Sequence, residues 1–402
     1  MRVTQSTNIQ TIRCLSYMER KAGQTRKTLR INIIQYTMKM FFTIILMAAM
    51  SANVAQNRGS GPEAQKRMAV VETSTCYMRL MPDYESALET QELMGTVVEI
   101  VGQKGYWREI VSPQPYKAWT TEKTLVEMTP EQIREYEDAP KYMFTGLYGH
   151  IYEEPSAKAA TICDLVGGDV MRVVMKGAGQ SGERDGAGKK ENDAGGRKVR
   201  PVVKGKWAQV MLPSGKTGWV MKEDLGISEE RTDIRMGDAA EGKVSQEKME
   251  DIITSARQLL GVPYLWGGMS AKGVDCSGLV RISCIMNGVL LPRNASQQIR
   301  CGKPVEVNAD PAFWNEEARK DKEAFVREMK KRTASLKRGD LVFFGTPATA
   351  EKPMRVTHVG IYLGNGEIIH SSHLVRINSL DPEADNCYEN AHRLIGGCRL
   401  VN

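Results

Sequence analysis

The stretch Asp275-Cys276-Ser277-Gly278 places a thiol where a turn-rich approach, residues 261–274, gives way to an apolar helical run. A thiol at a helix start meets the positive end of the helix dipole and unpaired backbone N–H groups. Both favour the thiolate, so the position predicts a lowered pKa and a nucleophile. The same N–H groups could hold an oxyanion. A lone cysteine is more often a small core residue. A base within reach is what would give Cys276 a chemical meaning.

Five histidines are present: His150, His358, His370, His373 and His392. In residues 357–363 (THVGIYL), Val359, Ile361 and Leu363 form one face of a strand, and His358, Gly360 and Tyr362 the other. A histidine on a rigid strand, next to a glycine that leaves room, suits a general base. Gly364-Asn365-Gly366 then signals a hairpin. A two-residue turn at Asn365-Gly366 sets His358 opposite His373. A three-residue loop with Gly366 in the left-handed position sets Gly360 opposite His370, on the face of His358. Periodicity leaves both open, because one residue of register swaps the faces. The partner so chosen would orient the His358 imidazole, as the third group of a triad does.

Elements of two kinds must hold these groups. Ser245, Met249, Ile252, Ile253, Ala256, Leu259 and Leu260 have helical spacing, ended by Gly261. A second helix is predicted over 276–287, and a charged, solvated helical insertion over 311–332. Strands follow at LVFFG, HVGIYLG and EIIHSS. Upstream, residues 68–128 and 142–226 each read as short strands joined by turns. They share a late Trp119 or Trp219 and an earlier Trp107 or Trp207, which predicts two small β-barrels over 68–135 and 140–230. Residues 177–198 are rich in glycine and charge and predict a disordered insert in the second barrel.

The formal charge is +7, and the net charge of residues 1–55 alone is +7. The remainder is close to neutral, which argues against a nucleic-acid partner. Residues 41–50 (FFTIILMAAM) are too short to span a bilayer and lead to small residues ending at Ala55. This is the pattern of a secretory signal, so export to the periplasm or outside is expected, without stable membrane insertion. The polar residues 1–37 do not fit an n-region, so a start at Met38 or Met40 is expected. No Cys stands at the exit, and none of the eight cysteines has zinc-site or disulfide-framework spacing. No metal or other cofactor is expected, and a monomer is.

Taken in order, Tyr264-x-Trp266-Gly267-Gly268, Asp275-Cys276-Ser277-Gly278, residues 338–344 (RGDLVFF) and His358-Val359-Gly360 through Ile369-His370 resemble the NlpC/P60 family. The resemblance covers residues 245–402. It implies an α+β, papain-like catalytic domain that cuts peptidoglycan stem peptides. The upstream segments resemble bacterial SH3-like domains, and the whole is similar to γ-D-glutamyl-L-diamino acid endopeptidases. The resemblance implies Cys276 as nucleophile, His358 as base, His370 as its orienting partner and Tyr264 as oxyanion donor. Asp275 and Ser277 would line the groove, with Trp266 as a wall. Tyr116, with Glu85 or Glu89, would meet the substrate's free amine. The family's Pro-Arg-Asp is Pro292-Arg293-Asn294 here, one carboxylate fewer for that amine. The other functions open to such a chain are an amidase or acyltransferase on the same scaffold, or a non-catalytic wall-binding protein.

Overall fold

The computed structural model describes residues 66–113, 115–177, 191–192, 198–228, 232–235 and 244–401. The expected leader, 1–55, lies outside these residues. The elements below belong to one compact unit, Lys66–Asn402.

The first part is a seven-stranded antiparallel sheet. Its order is Leu88–Leu93, Thr75–Arg79, Tyr116–Thr121, Trp107–Ser112, Val97–Lys104, Arg67–Val71, Leu125–Met128. Alternation explains its core: in Thr75–Arg79, Cys76 and Met78 turn inward while Tyr77 between them turns outward. The second part runs Thr161–Val166, Tyr148–Tyr152, Thr217–Met221, Trp207–Met211, Val170–Val173, Lys141–Phe144, Leu225–Ile227. Strand for strand this is the order of the first. Trp119 pairs with Arg79, and Trp219 with Tyr152 at the equivalent place. The repeat anticipated from the tryptophans is therefore a repeat of topology. The barrels are not closed, however: no pairing joins the two end strands of either sheet among the described residues.

Between the sheets, the helix Pro130–Asp138 starts with a Thr129–Gln132 capping box and Pro130 in its first turn. Within the segment expected to be structureless, Glu191–Asn192 pairs with Lys198–Pro201, which also pairs with Met175–Gly177. Backbone pairing needs no apolar side chains, so composition alone did not reveal it. The rest of 177–198 lies outside the described residues.

The C-terminal part begins with the helix Gln246–Gln258, capped by the Ser245 hydroxyl and buried along Met249, Ile252, Ile253 and Ala256. The helix Cys276–Ile285 is buried all round. Both pack on one face of a six-stranded antiparallel sheet. Its order is Lys303–Val305, Leu394–Arg399, Leu341–Thr346, Arg355–Gly364, Glu367–Ser372, Leu374–Ser379. Leu341, Phe343, Val359, Ile361 and Ile369 face the helices. Val342, Phe344, Tyr362 and Ile368 face a second core that includes Met329, Tyr388 and Leu394. The faces predicted for Val359, Ile361 and Leu363 are those observed.

The insertion at 311–332 is not one helix. It comprises the turns Pro311–Trp314 and Glu317–Lys320, then the helix Lys322–Thr333. Asp310 and Asp321 each cap a new start with their carboxylates, which breaks the run. Nor is it wholly solvated. Arg332 is buried, bonded to Glu328 and to the His392 carbonyl.

Candidate active site

Asp275 is the N-cap of the helix that Cys276 opens. Its carboxylate accepts from Gly278 N at 2.7 Å and from Gly267 N at 3.0 Å. One side chain thus fixes both the helix start and the Trp266-Gly267 loop before it. Cys276 is 8% exposed. Burial pushes its thiol up to about 11, with the Asp275 charge adding to the rise. The backbone N–H groups of Val359 and Ser277 and the Arg293 charge oppose this without cancelling it. The lowered pKa expected at a helix start is reversed, because desolvation outweighs the helix end.

The Val359 N–H that reaches the thiol belongs to the residue after His358. His358 Nε2 lies 2.7 Å from His370 Nδ1, and His370 Nε2 lies 2.9 Å from Asn378 Oδ1. Tyr388 closes the group from the side, its ring 5.6 Å from that of His358 and 4.6 Å from that of His370. Burial lowers His358 to about 3, helped by His370 and Arg376. Burial likewise lowers His370 to about 4, against its hydrogen bond to the Asn378 oxygen. Burial thus favours the neutral form of the thiol and of both imidazoles.

The histidines meet through a hairpin that is neither of the two simple forms. Asn365 and Gly366 make a two-residue turn with φ of 53° and 81°, and Gly364 pairs with Glu367 across it. A bulge between Tyr362 and Gly364 then shifts the register, so that Tyr362 pairs with Ile368 and Ile361 with Ile369. The turn alone would have opposed His358 to His373. The bulge restores the alignment that a three-residue loop would give. His373 instead occupies the next turn at φ 62°, and its carbonyl accepts from Tyr264 N at 2.8 Å. The Tyr264 phenol is pushed up by burial and by the nearby Cys276 and Asp275, so its hydroxyl keeps its proton.

Asp275 and Ser277 are buried and turned toward Arg293. The Arg293 guanidinium meets Asp275 Oδ2 at 2.5 Å and Ser277 Oγ at 2.9 Å, and its Nε donates to Thr90 Oγ1 at 2.8 Å. These polar atoms are used within the protein, beneath the site. Trp266 is 68% exposed.

Thr90 belongs to the end strand of the first sheet, and successive residues of that strand reach the C-terminal part. Gln91 Oε1 accepts from Met269 N at 2.8 Å, and Glu92 faces Arg281 at 3.4 Å in a buried pair. Glu89 Oε2 accepts the Tyr116 hydroxyl at 2.8 Å, and the Asn294 side chain bonds to the same hydroxyl. Burial and Glu89 push that phenol up to about 12. Glu85 is exposed, its N–H bonded to Asp83. Of the two carboxylates named from sequence, Glu89 is the one brought to Tyr116. Arg293 drew attention only within its motif, and Asn378 and Tyr388 not at all. Their contacts cross sequence gaps that carry no local periodicity. The described residues contain no group of His, Cys, Asp and Glu arranged to hold a metal.

Residues 261–390 match the NlpC/P60 family, so the chain carries an NlpC/P60 domain in its C-terminal part. The chain is 26% identical over 310 residues to the gamma-D-glutamyl-L-lysine dipeptidyl-peptidase of Bacillus cereus (strain ATCC 10987 / NRS 248), covering 73% of this chain and 70% of that one. It is 36% identical over 140 residues to the Bacillus subtilis (strain 168) protein of the same name, covering 34% of this chain and 37% of that one. The crystal structure of an NlpC/P60 family protein from Bacillus cereus ATCC 10987 superposes with a TM-score of 0.56 at 21% identity, over 83% of this chain and all of that one. That likeness extends the shared fold upstream of the matched domain.

Proposed function

We propose that this chain is an exported cysteine peptidase that hydrolyses the γ-D-glutamyl–diamino acid bond of peptidoglycan stem peptides or their turnover fragments. The observation that carries the reading is Cys276 at its helix start, its thiol reached by the N–H of the residue after His358, whose imidazole is held by His370 at 2.7 Å. The Cys276 sulfur attacks the γ-carbonyl carbon as its proton passes to His358. The oxyanion is met by backbone N–H groups and the Tyr264 hydroxyl. The tetrahedral species collapses to a thioester as the leaving amine takes the proton from His358. Water then gives a proton to His358 and its oxygen to the thioester carbonyl, releasing the carboxylate product and restoring the thiol.

The two upstream segments are read as SH3-like domains, and the first closes the amine end of the groove. Glu89 supports this reading: it supplies a carboxylate where Asn294 supplies none, 2.8 Å from the Tyr116 hydroxyl. A substrate with a free N-terminal amine is therefore preferred over a capped one. The names of the Bacillus relatives agree with that bond. The test is incubation of the protein with L-Ala-γ-D-Glu-Lys and with its N-acetyl form, products read by mass spectrometry. Release of lysine from the free tripeptide, with the acetylated one cut more slowly, is expected. Cleavage of neither overturns the function, and equal cleavage overturns the amine preference alone.

A further inference from the structure

Beyond the histidine pair, one side-chain amide settles where the protons of the site reside. Asn378 Nδ2 donates to the backbone carbonyl of Asn386 at 2.6 Å. That carbonyl can only accept, so the amide cannot be reversed without setting two oxygens against each other. Asn378 Oδ1 therefore faces His370 Nε2, at 2.9 Å. An amide oxygen only accepts, so His370 Nε2 carries the hydrogen. In the neutral ring, His370 Nδ1 is then a lone pair, and it faces His358 Nε2 at 2.7 Å. His358 Nε2 must in turn carry its own hydrogen. The nitrogen left to gain or lose a proton is His358 Nδ1, whichever charge state that ring adopts.

We infer that Asn378 is a positioning residue, which passes a fixed proton register from the Asn386 carbonyl through His370 to His358 and keeps His358 Nδ1 as the proton-accepting atom. The inference rests on the reading of His358 as the base. The segment that supplies the carbonyl is itself held. Asn386 O also accepts from Ser379 N at 3.1 Å, and Tyr388 N donates to Ser379 O at 2.8 Å. The same segment places the Tyr388 ring against both imidazoles. The charged groups nearest His370 are Arg376, its cross-strand partner, and Glu389, which faces Arg376 at 3.4 Å. Neither is hydrogen-bonded to the ring, so the amide sets the tautomer.

The first test is nitrogen-15 NMR of the full chain labelled at histidine. The inference expects a pyrrole-like His370 Nε2, a pyridine-like His370 Nδ1 and a pyrrole-like His358 Nε2. A proton on His370 Nδ1 overturns it. The second test compares two substitutions. Asn378→Asp keeps an acceptor on His370 Nε2, whereas Asn378→Leu removes it. The expected kcat on L-Ala-γ-D-Glu-Lys is at least about tenfold higher for Asp than for Leu, with KM nearly equal in the two. A merely structural role predicts the reverse order, because a buried carboxylate facing a carbonyl is costlier than an apolar side chain. Should both variants fail to fold, the NMR result on the native chain still decides. A chain that cleaves nothing would overturn the function and leave the tautomers to be read by NMR.

Discussion

Gly360 lies across the strand pair from His370, and a Cβ at residue 360 would come 3.1 Å from His370 Cβ and 3.0 Å from the Ile369 carbonyl. Both contacts are tighter than side chains normally accept, and both involve atoms at or next to the strand backbone rather than the end of a flexible side chain. Gly360→Ala should therefore push His370 off its 2.7 Å contact with His358. We expect kcat to fall about tenfold or more with KM little changed, and stability to drop by roughly 1–3 kcal/mol as in other overpacked cores. Steady-state kinetics and urea unfolding would check this. An unchanged kcat would mean that the His358–His370 contact does not matter to turnover.

Arg293 ties the first sheet to the floor of the site through Thr90, Asp275 and Ser277. Arg293→Met would leave Asp275 buried without its partner, which typically costs about 3–5 kcal/mol. The double variant Arg293→Met with Asp275→Asn should recover part of this, since no bare charge then remains. Urea unfolding of the set, monitored by circular dichroism, would test it. Full stability in the single variant would contradict the role assigned to the pair.

Tyr116→Phe removes the hydroxyl that Glu89 and Asn294 share. The expected result is a KM raised about tenfold for the free tripeptide, little change in kcat and no change for the acetylated form. Glu89→Gln should act in the same direction and more strongly, because it removes the charge that would meet an ammonium. Equal effects on both substrates would argue against amine recognition.

Both histidines titrate lower in the folded chain than the ordinary value of 6.5, His358 near 3 and His370 near 4. The unfolded chain then binds more protons between those values and 6.5, so stability rises with pH across that window. Stability contributed by the neutral buried rings is present above 6.5 and is lost as pH falls toward 3. The melting temperature should drop steadily from pH 6.5 to pH 4. The drop should be shallower in His370→Gln, measured by scanning fluorimetry at each pH. Identical slopes would show that other groups set the acid limit.

Local chemistry made much of the site legible from sequence. An aspartate before an apolar helical run caps a helix wherever the chain goes, so Cys276 at the helix start needed no tertiary information. The alternation in residues 357–363 likewise declared which side of the strand His358 occupies. A repeated tryptophan spacing anticipated two segments of one topology. What could not be read was anything set by contacts between distant segments. The bulge at Leu363 is one residue in a strand, and only packing on both faces of the sheet selects it. The choice of Glu89 over Glu85 depends on which one the end strand carries against Tyr116. Asn378 gains meaning only when the Asn386 carbonyl turns its amide. The thiol pKa reversed sign because desolvation is a property of the closed structure, and the helix start alone predicts the opposite.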